Sequence, residues 1–302
     1  MSKQKEIPEI KINKHPKVSY TVYGGEQKKG KTPVLEYKHI KVDSNDPGYV
    51  NRILVATPTT GQIRMEWALA RWGQVIPMNW SQVQMMQYYN SFVPFNFTVP
   101  DAQNVIVKAV IEQEFEWLLL VEHDTMLPQD AFIRFNKYMQ DEKVPIVSGL
   151  YFSRSLPSEP LVFRGRGTSV YTDWKMGDQV WVDAVPTGAL LIHAGILRAM
   201  WNESPEYQVN GVTTRRVFDN PRKLWYDDQG NFNTLTGTSD LEWCTRVMEE
   251  GFFKKAGWDD FDGVKYPFLI DTGIFCKHID MDGTIYPDHM MQESKSIKDA
   301  NT

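Results

Sequence analysis

Trp117-Leu118-Leu119-Leu120-Val121 is an unbroken apolar run that ends in Glu122-His123-Asp124, with Leu127-Pro128 following. A strand that is apolar at every position has to be covered on both faces, which is the condition of a strand inside an α/β sheet. Ligands of open α/β sheets collect just beyond the C-terminal ends of such strands, so acids placed there are candidate site residues. Glu122 and Asp124 are two apart. In extended backbone their carboxylates share a face and can hold a hard cation, while His123 points to the other face and is read as structural.

The chain is long enough for such a sheet: 302 residues, 42% of them hydrophobic, make one large α/β domain or two small ones. A formal net charge of −5 argues against general affinity for nucleic acid or anionic membrane. No apolar stretch approaches twenty residues, so no transmembrane helix is expected, and the Lys-rich start is not a signal peptide. Cys244 and Cys276 form no disulfide framework, which fits a reducing cytoplasm. Ten Trp are the one compositional excess, and Trp serves either as core or as a flat platform for sugar rings.

Residues 1–48 read as a hairpin-like N-terminal extension, 49–285 as the main domain with halves at about 49–150 and 151–285, and 286–302 as a polar tail. Ile53 to Ala56 is a short buried strand entering the turn Thr57-Pro58-Thr59-Thr60-Gly61, and a helix is expected from Ile63 to about Trp72. No G-x-G-x-x-G follows this strand and no Walker lysine is present, which removes the main support for dinucleotide and P-loop sites. Val83 to Tyr89 is a candidate second strand. Pro100-Asp101 opens an amphipathic helix that Asp101 is placed to cap. Pro128 leads into a helix from Gln129 to Met139. Pro145–Tyr151, Leu161–Arg164, Val180–Val185 and Pro186–His193 read as further strands. Arg164-Gly165-Arg166-Gly167 is either a phosphate clamp or a solvated turn. His193, on an apolar strand, is read as a core histidine. From Glu203 to Gly237 the chain reads as polar and aperiodic, an acceptor loop or lid in which Trp225 and Tyr226 could stack on a ring. Gly237 to Phe252 then reads as one helix with a cap-like Ser239 or Asp240 and a C-terminal Gly251. Phe268 to Asp280 is a last strand.

Several of these stretches together resemble glycosyltransferases of the GT-A fold, similar to family 2-like nucleotide-sugar enzymes, beginning with the first strand and its Pro-containing loop Thr57-Pro58. Glu122-His123-Asp124 resembles their DxD motif, with Glu in place of the first Asp. Asp101-Ala102-Gln103-Asn104 through Trp117 resembles the helix and strand before it. Thr187-Gly188-Ala189-Leu190-Leu191-Ile192 resembles their "TGACLLI" strand, and Ser239-Asp240-Leu241-Glu242 resembles the start of "GEDxDFCxRA", with Ser for Glu. The resemblance implies an α/β fold whose mostly parallel sheet lies between helices. It also implies a metal-dependent transfer of a sugar, a hexose in the usual case, from a UDP- or GDP-sugar to a glycan or other hydroxyl acceptor, modified DNA included, with inversion. On that resemblance Thr57 and Pro58 line the nucleoside pocket, Asn104, Glu122 and Gly188 contact the donor, and Asp124, His278 and Glu122 hold Mn²⁺ or Mg²⁺. Asp240 is the general base with Glu242 beside it, and Asp271 and Asp280 are secondary candidates. Two other classes remain open: a non-catalytic carbohydrate-binding protein, and a nucleotidyltransferase on a related sheet.

Overall fold

The computed structural model describes residues 50–59, 61–84, 97–165 and 170–287. The N-terminal extension, residues 85–89 of the second expected strand, Arg166-Gly167 and the tail beyond Pro287 lie outside the described residues. Every described residue belongs to one compact unit.

The elements run β1 (Asn51–Ala56), α1 (Met65–Trp72), β2 (Trp80–Gln84), α2 (Val99–Glu112), β3 (Trp117–Val121), β4 (Thr125–Met126), α3 (Ala131–Asp141), β5 (Ile146–Leu150), β6 (Gln179–Val182), β7 (Ala189–His193) and α4 (Ala194–Glu203). There follow β8 (Glu206–Val209), β9 (Val212–Arg215), β10 (Arg222–Tyr226), β11 (Phe232–Thr236), α5 (Ser239–Glu249), α6 (Phe252–Lys255), β12 (Phe268–Phe275), β13 (Lys277–Ile279) and β14 (Ile285–Tyr286). The central sheet has seven strands in the order β2-β1-β3-β7-β5-β12-β6. Five of them run one way; β7 and β6 run against it. The expected α/β architecture, a mostly parallel sheet between helices, is therefore present.

All five residues of β3 are buried, and they divide by parity between two cores. Leu118 and Leu120 join Leu54 and Ala56 against α2, α4 and α5, while Trp117, Leu119 and Val121 join Ile53 and Val55 against α1 and α3. Side chains of a strand alternate faces, so a continuous apolar run is what a doubly covered strand requires. Burying each such side chain stabilises the fold by roughly 1.5–3 kcal/mol. Trp67, Trp80, Trp117 and Trp243 are core residues of this kind, whereas Trp72 and Trp225 are exposed. Both cysteines are buried free thiols, and burial pushes both up from the usual thiol value. Among the described residues no helix is long and apolar enough to cross a membrane.

The expected elements recur with shifted ends and six corrections. The N-cap of α5 is Thr238, not Ser239 or Asp240, and Phe252 opens the separate helix α6. The last expected strand is two, β12 and β13, in different sheets. Thr98, not Asp101, caps α2: its hydroxyl accepts from the Asp101 amide at 3.4 Å and donates to the Asp101 carboxylate at 2.8 Å. Phe163, in the stretch read as a strand, makes only isolated bridges to Val170 and Ala184. Tyr286, assigned to the tail, instead pairs with His278 in the β13–β14 ladder. The stretch read as aperiodic from Glu203 to Gly237 contains two hairpins, β8–β9 and β10–β11. The first turns on Asn210-Gly211, both with positive φ, the dipeptide favoured by tight two-residue hairpin loops. The second turns over Asp227, whose carboxylate accepts from the amides of Gln229 and Asn231 at 3.0 and 2.8 Å.

Candidate metal centre

The acids after β3 do not continue in extended backbone. β3 stops at Val121, and Glu122 to Thr125 form a turn closed by the Thr125 amide on the Glu122 carbonyl at 3.1 Å. The expectation that alternation brings the two carboxylates together is thus corrected: a turn does it. Three elements hold that turn. Trp67 of α1 donates from its indole to the Glu122 carbonyl at 2.8 Å. The Glu122 amide donates to the Gly188 carbonyl at 3.0 Å, and the Ile279 amide to the Asp124 carbonyl at 2.8 Å.

That last bond belongs to the small antiparallel sheet β14-β13-β4, in which His278 lies opposite Thr125. The pairing places the imidazole beside the acids. One ligand atom from each of Glu122, Asp124 and His278 lies within 4.8 Å of the others. His278 Nδ1 is hydrogen bonded to the Phe152 carbonyl, which only accepts, so Nδ1 carries the proton and Nε2 presents a lone pair. Burial lowers the imidazole's proton affinity against the opposing charge of Asp124. A neutral imidazole oriented by a carbonyl is the usual form of a metal-binding histidine. Asp124 Oδ1 is buried with no hydrogen-bond partner. An orphaned carboxylate oxygen is costly unless something cationic or donating meets it, so these three side chains fit a divalent ion with mixed oxygen and nitrogen ligation.

Glu122 is the most perturbed acid here. Burial, and then the charge of Asp124, push its carboxyl up to about 7, with Asp240 adding to the rise; the Thr187 hydroxyl, donating to Oε1 at 2.8 Å, opposes it. Gln103 donates in turn to Thr187 Oγ1 at 3.3 Å. Asp240 sits in the first turn of α5, its Oδ1 accepting from the Leu241 amide at 2.9 Å. Its charge acts on Glu122 and Tyr151, so it belongs to the same electrostatic neighbourhood. Glu242, two residues on, is about 200° further round the helix and faces elsewhere.

Thr57 and Pro58 are buried at the C-terminal end of β1, next to β3 and on the edge of the sheet where the acids lie. Two expected donor contacts, Asn104 and Gly188, have partners within the protein. Asn104 spends its whole side-chain amide inside the protein: Oδ1 accepts from the Val217 and Phe218 amides at 3.0 and 2.8 Å, while Nδ2 donates to the Phe218 carbonyl and the Tyr207 hydroxyl at 2.9 and 3.0 Å. Gly188 is small because the protein itself crowds it. A Cβ there would lie 2.5 Å from the Tyr151 ring and 2.7 Å from Thr125 Oγ1, and its amide donates to the Tyr151 hydroxyl at 2.7 Å. Asp271 lies outside the cluster, its carboxylate taken by Tyr138 and the Gly273 amide, both at 2.8 Å.

Arg154 was not singled out by the sequence, yet it sits on the acids. It bridges Asp124 Oδ2 at 2.9 Å and Asp280 Oδ1 at 3.1 Å. It follows the apolar strand β5 just as the acids follow β3, so the rule that ligand-binding residues gather beyond strand C-termini was the signal that could have found it. Gln103, Tyr151 and Thr187 were missed for another reason: each acts through packing that no local pattern reveals.

No protein-family model and no curated protein sequence matches this chain. Among solved structures it is similar to A197 from STIV, at 12% identity and a TM-score of 0.42, over 79% of this chain and 95% of that one. It is also similar to S. aureus TarS, at 11% identity and a TM-score of 0.34, over 51% of this chain and 30% of TarS. To TarS 1-349 in complex with UDP the identity is 12% and the TM-score 0.32, over 51% of this chain and 50% of that one. What the site can do follows from its own side chains.

Proposed function

We propose that this chain is a metal-dependent glycosyltransferase of the GT-A kind, which moves a sugar from a nucleoside-diphosphate-sugar to a hydroxyl acceptor with inversion. The single observation that carries the proposal is the buried, unpartnered Asp124 Oδ1 beside the free Nε2 of His278 and the carboxyl of Glu122, at the C-terminal edge of a mostly parallel sheet. Mn²⁺ or Mg²⁺ bound by these residues supplies charge neutralisation for a departing diphosphate.

The chain's own residues would divide the remaining work. Thr57 and Pro58 line the nucleoside side of the edge. The turn Glu122–Thr125, held from three elements, keeps the ligand atoms in place without reorganisation. Asp240 spends one oxygen on the Leu241 amide and keeps the other for the proton of the acceptor hydroxyl. Attack on an oxocarbenium-like centre from the face opposite the leaving group then inverts the sugar. Hairpin β10–β11 leaves Leu224, Trp225, Tyr226 and Phe232 exposed, a surface on which an acceptor ring could stack.

Slow donor hydrolysis needs no acceptor, so a panel of UDP- and GDP-sugars incubated with and without Mn²⁺ tests the reading. Metal-dependent release of UDP or GDP, lost in Asp124→Asn, is the expected result. Absence of any nucleotide binding by calorimetry, with or without Mn²⁺, would sink it. Retention of anomeric configuration in a product, or full turnover by Asp240→Asn, would remove the base assignment alone.

A further inference from the structure

Arg154 stands on a loop that is itself firmly tied. The Ser153 amide donates to the Glu159 carbonyl at 2.8 Å, the Glu159 amide to Ser153 Oγ at 3.0 Å, and Ser158 Oγ to the Ser155 carbonyl at 3.0 Å. The backbone on either side of Arg154 is hydrogen bonded, and its half-exposed side chain reaches the acids by ion pairs alone. Its guanidinium divides between Asp124 Oδ2 and Asp280 Oδ1. Asp124 is therefore split: Oδ2 holds a permanent cation, Oδ1 is buried and unpartnered, and the same carboxylate is one of the three groups that could hold a divalent ion.

We propose that Arg154 couples the two ligands of the site, opposing a divalent ion that arrives alone and favouring one that arrives with a diphosphate. The inference rests on the metal-centre reading above. A divalent ion on Asp124, His278 and Glu122 shares a carboxylate with the guanidinium, and the two positive charges repel across a few ångströms of partly buried space. A diphosphate placed at the ion brings anionic oxygens within reach of Arg154, and the planar guanidinium fork suits phosphate oxygens as well as it suits carboxylates. Repulsion becomes a shared attraction. Because linkage is reciprocal, the diphosphate then tightens the ion by the same factor by which the ion tightens the diphosphate. Asp280 gives Arg154 a second anchor while Asp124 is occupied by the ion.

Isothermal titration of Mn²⁺ alone, UDP alone, and Mn²⁺ at saturating UDP, on the full chain and on Arg154→Ala, tests this without turnover. The wild type is expected to show a coupling factor in the ordinary range of ~5–150-fold. In Arg154→Ala that factor falls several-fold, leaving only the direct attraction of ion and diphosphate, with Mn²⁺ alone binding several-fold tighter. Arg154→Lys, which keeps the charge without the fork, falls between, and Arg154→Gln repeats the test should the alanine variant fold poorly by circular dichroism. An unchanged coupling factor, or bare Mn²⁺ binding weakened by loss of Arg154, overturns the proposal and leaves the arginine a structural clamp. If the wild type takes up no Mn²⁺ at all, the metal-centre reading fails first. If it does and the variants couple as strongly, only the role of Arg154 fails.

Discussion

His278 lies directly across the β4–β13 ladder from Thr125, and the next amide, that of Ile279, donates to the carbonyl of Asp124. A pairing of one two-residue strand with one three-residue strand thus brings an imidazole from the end of the domain to acids from its middle. His278→Ala and Asp124→Asn are each expected to weaken Mn²⁺ binding by on the order of 100-fold, at or beyond the loss caused by removing an outer partner of a metal ligand. Calorimetry or Mn²⁺ electron paramagnetic resonance measures it. His123→Ala should leave the affinity within a few-fold of wild type.

Asn104 separates a structural asparagine from a donor contact. Asn104→Ala leaves the buried amides of Val217 and Phe218 without acceptors, a loss of roughly 2–4 kcal/mol. Urea unfolding should show it as a lower midpoint. Nucleotide affinity measured well below the transition should not change, and a large drop in affinity with stability intact would reinstate the donor role.

Gly188 and Tyr151 are expected to be coupled. Gly188→Ala forces a methyl against the Tyr151 ring and should cost about 1–3 kcal/mol through overpacking. Tyr151→Leu removes the obstructing ring atoms and has its own cost. The double variant should be more stable than the sum of the two losses predicts, by about 0.5–3 kcal/mol in a double-mutant cycle. Strict additivity would mean that the crowding is relieved some other way.

His193 gives a pH dependence whose sign is fixed by geometry. Its Nδ1 accepts from the Gly195 amide at 3.2 Å and from the Trp258 indole at 3.3 Å, and Trp117 meets the ring edge-on at 4.9 Å. Protonating Nδ1 would turn both donors against it. Burial, and then the charge of Arg198, bring this imidazole down to about 4. A base whose folded value is depressed contributes stability that is fully present above its unfolded value of 6.5 and is lost as pH falls toward 4. Between pH 7 and pH 5 the loss is about 2 kcal/mol. Urea midpoints at the two pH values, compared with those of His193→Gln, isolate it, and an imidazole resonance titrating near its ordinary value would refute it.

Much of the fold was legible because it is written in local pattern. The run Trp117 to Val121 announces a doubly covered strand through its unbroken apolar character, and the two acids at its end announce a site through their position at a strand terminus. Gly251, left-handed just past the end of α5, could be read the same way, whereas the N-cap of that helix is Thr238 rather than Ser239 or Asp240. The hairpins β8–β9 and β10–β11 were missed although Asn210-Gly211 marks the first of them, because ribbons that bury neither face in full need not show the alternation of a half-buried strand, and β10–β11 leaves even Leu224, Trp225, Tyr226 and Phe232 exposed.

His278 could be proposed as a partner of Glu122 and Asp124 from the sequence only through resemblance, since nothing in local pattern links positions so far apart. Tertiary structure decided their meeting, through the β4–β13 pairing, and it decided that a turn rather than an extended strand aims the acids. It also gave the Asn104 side chain buried backbone partners, set Tyr151 against Gly188, and set Arg154 on Asp124 and Asp280. The sequence by itself determined which faces had to be buried, because apolar periodicity is a property of neighbouring residues along the chain. Which polar groups satisfy one another, and which oxygen is left over, depends on elements that meet only after folding.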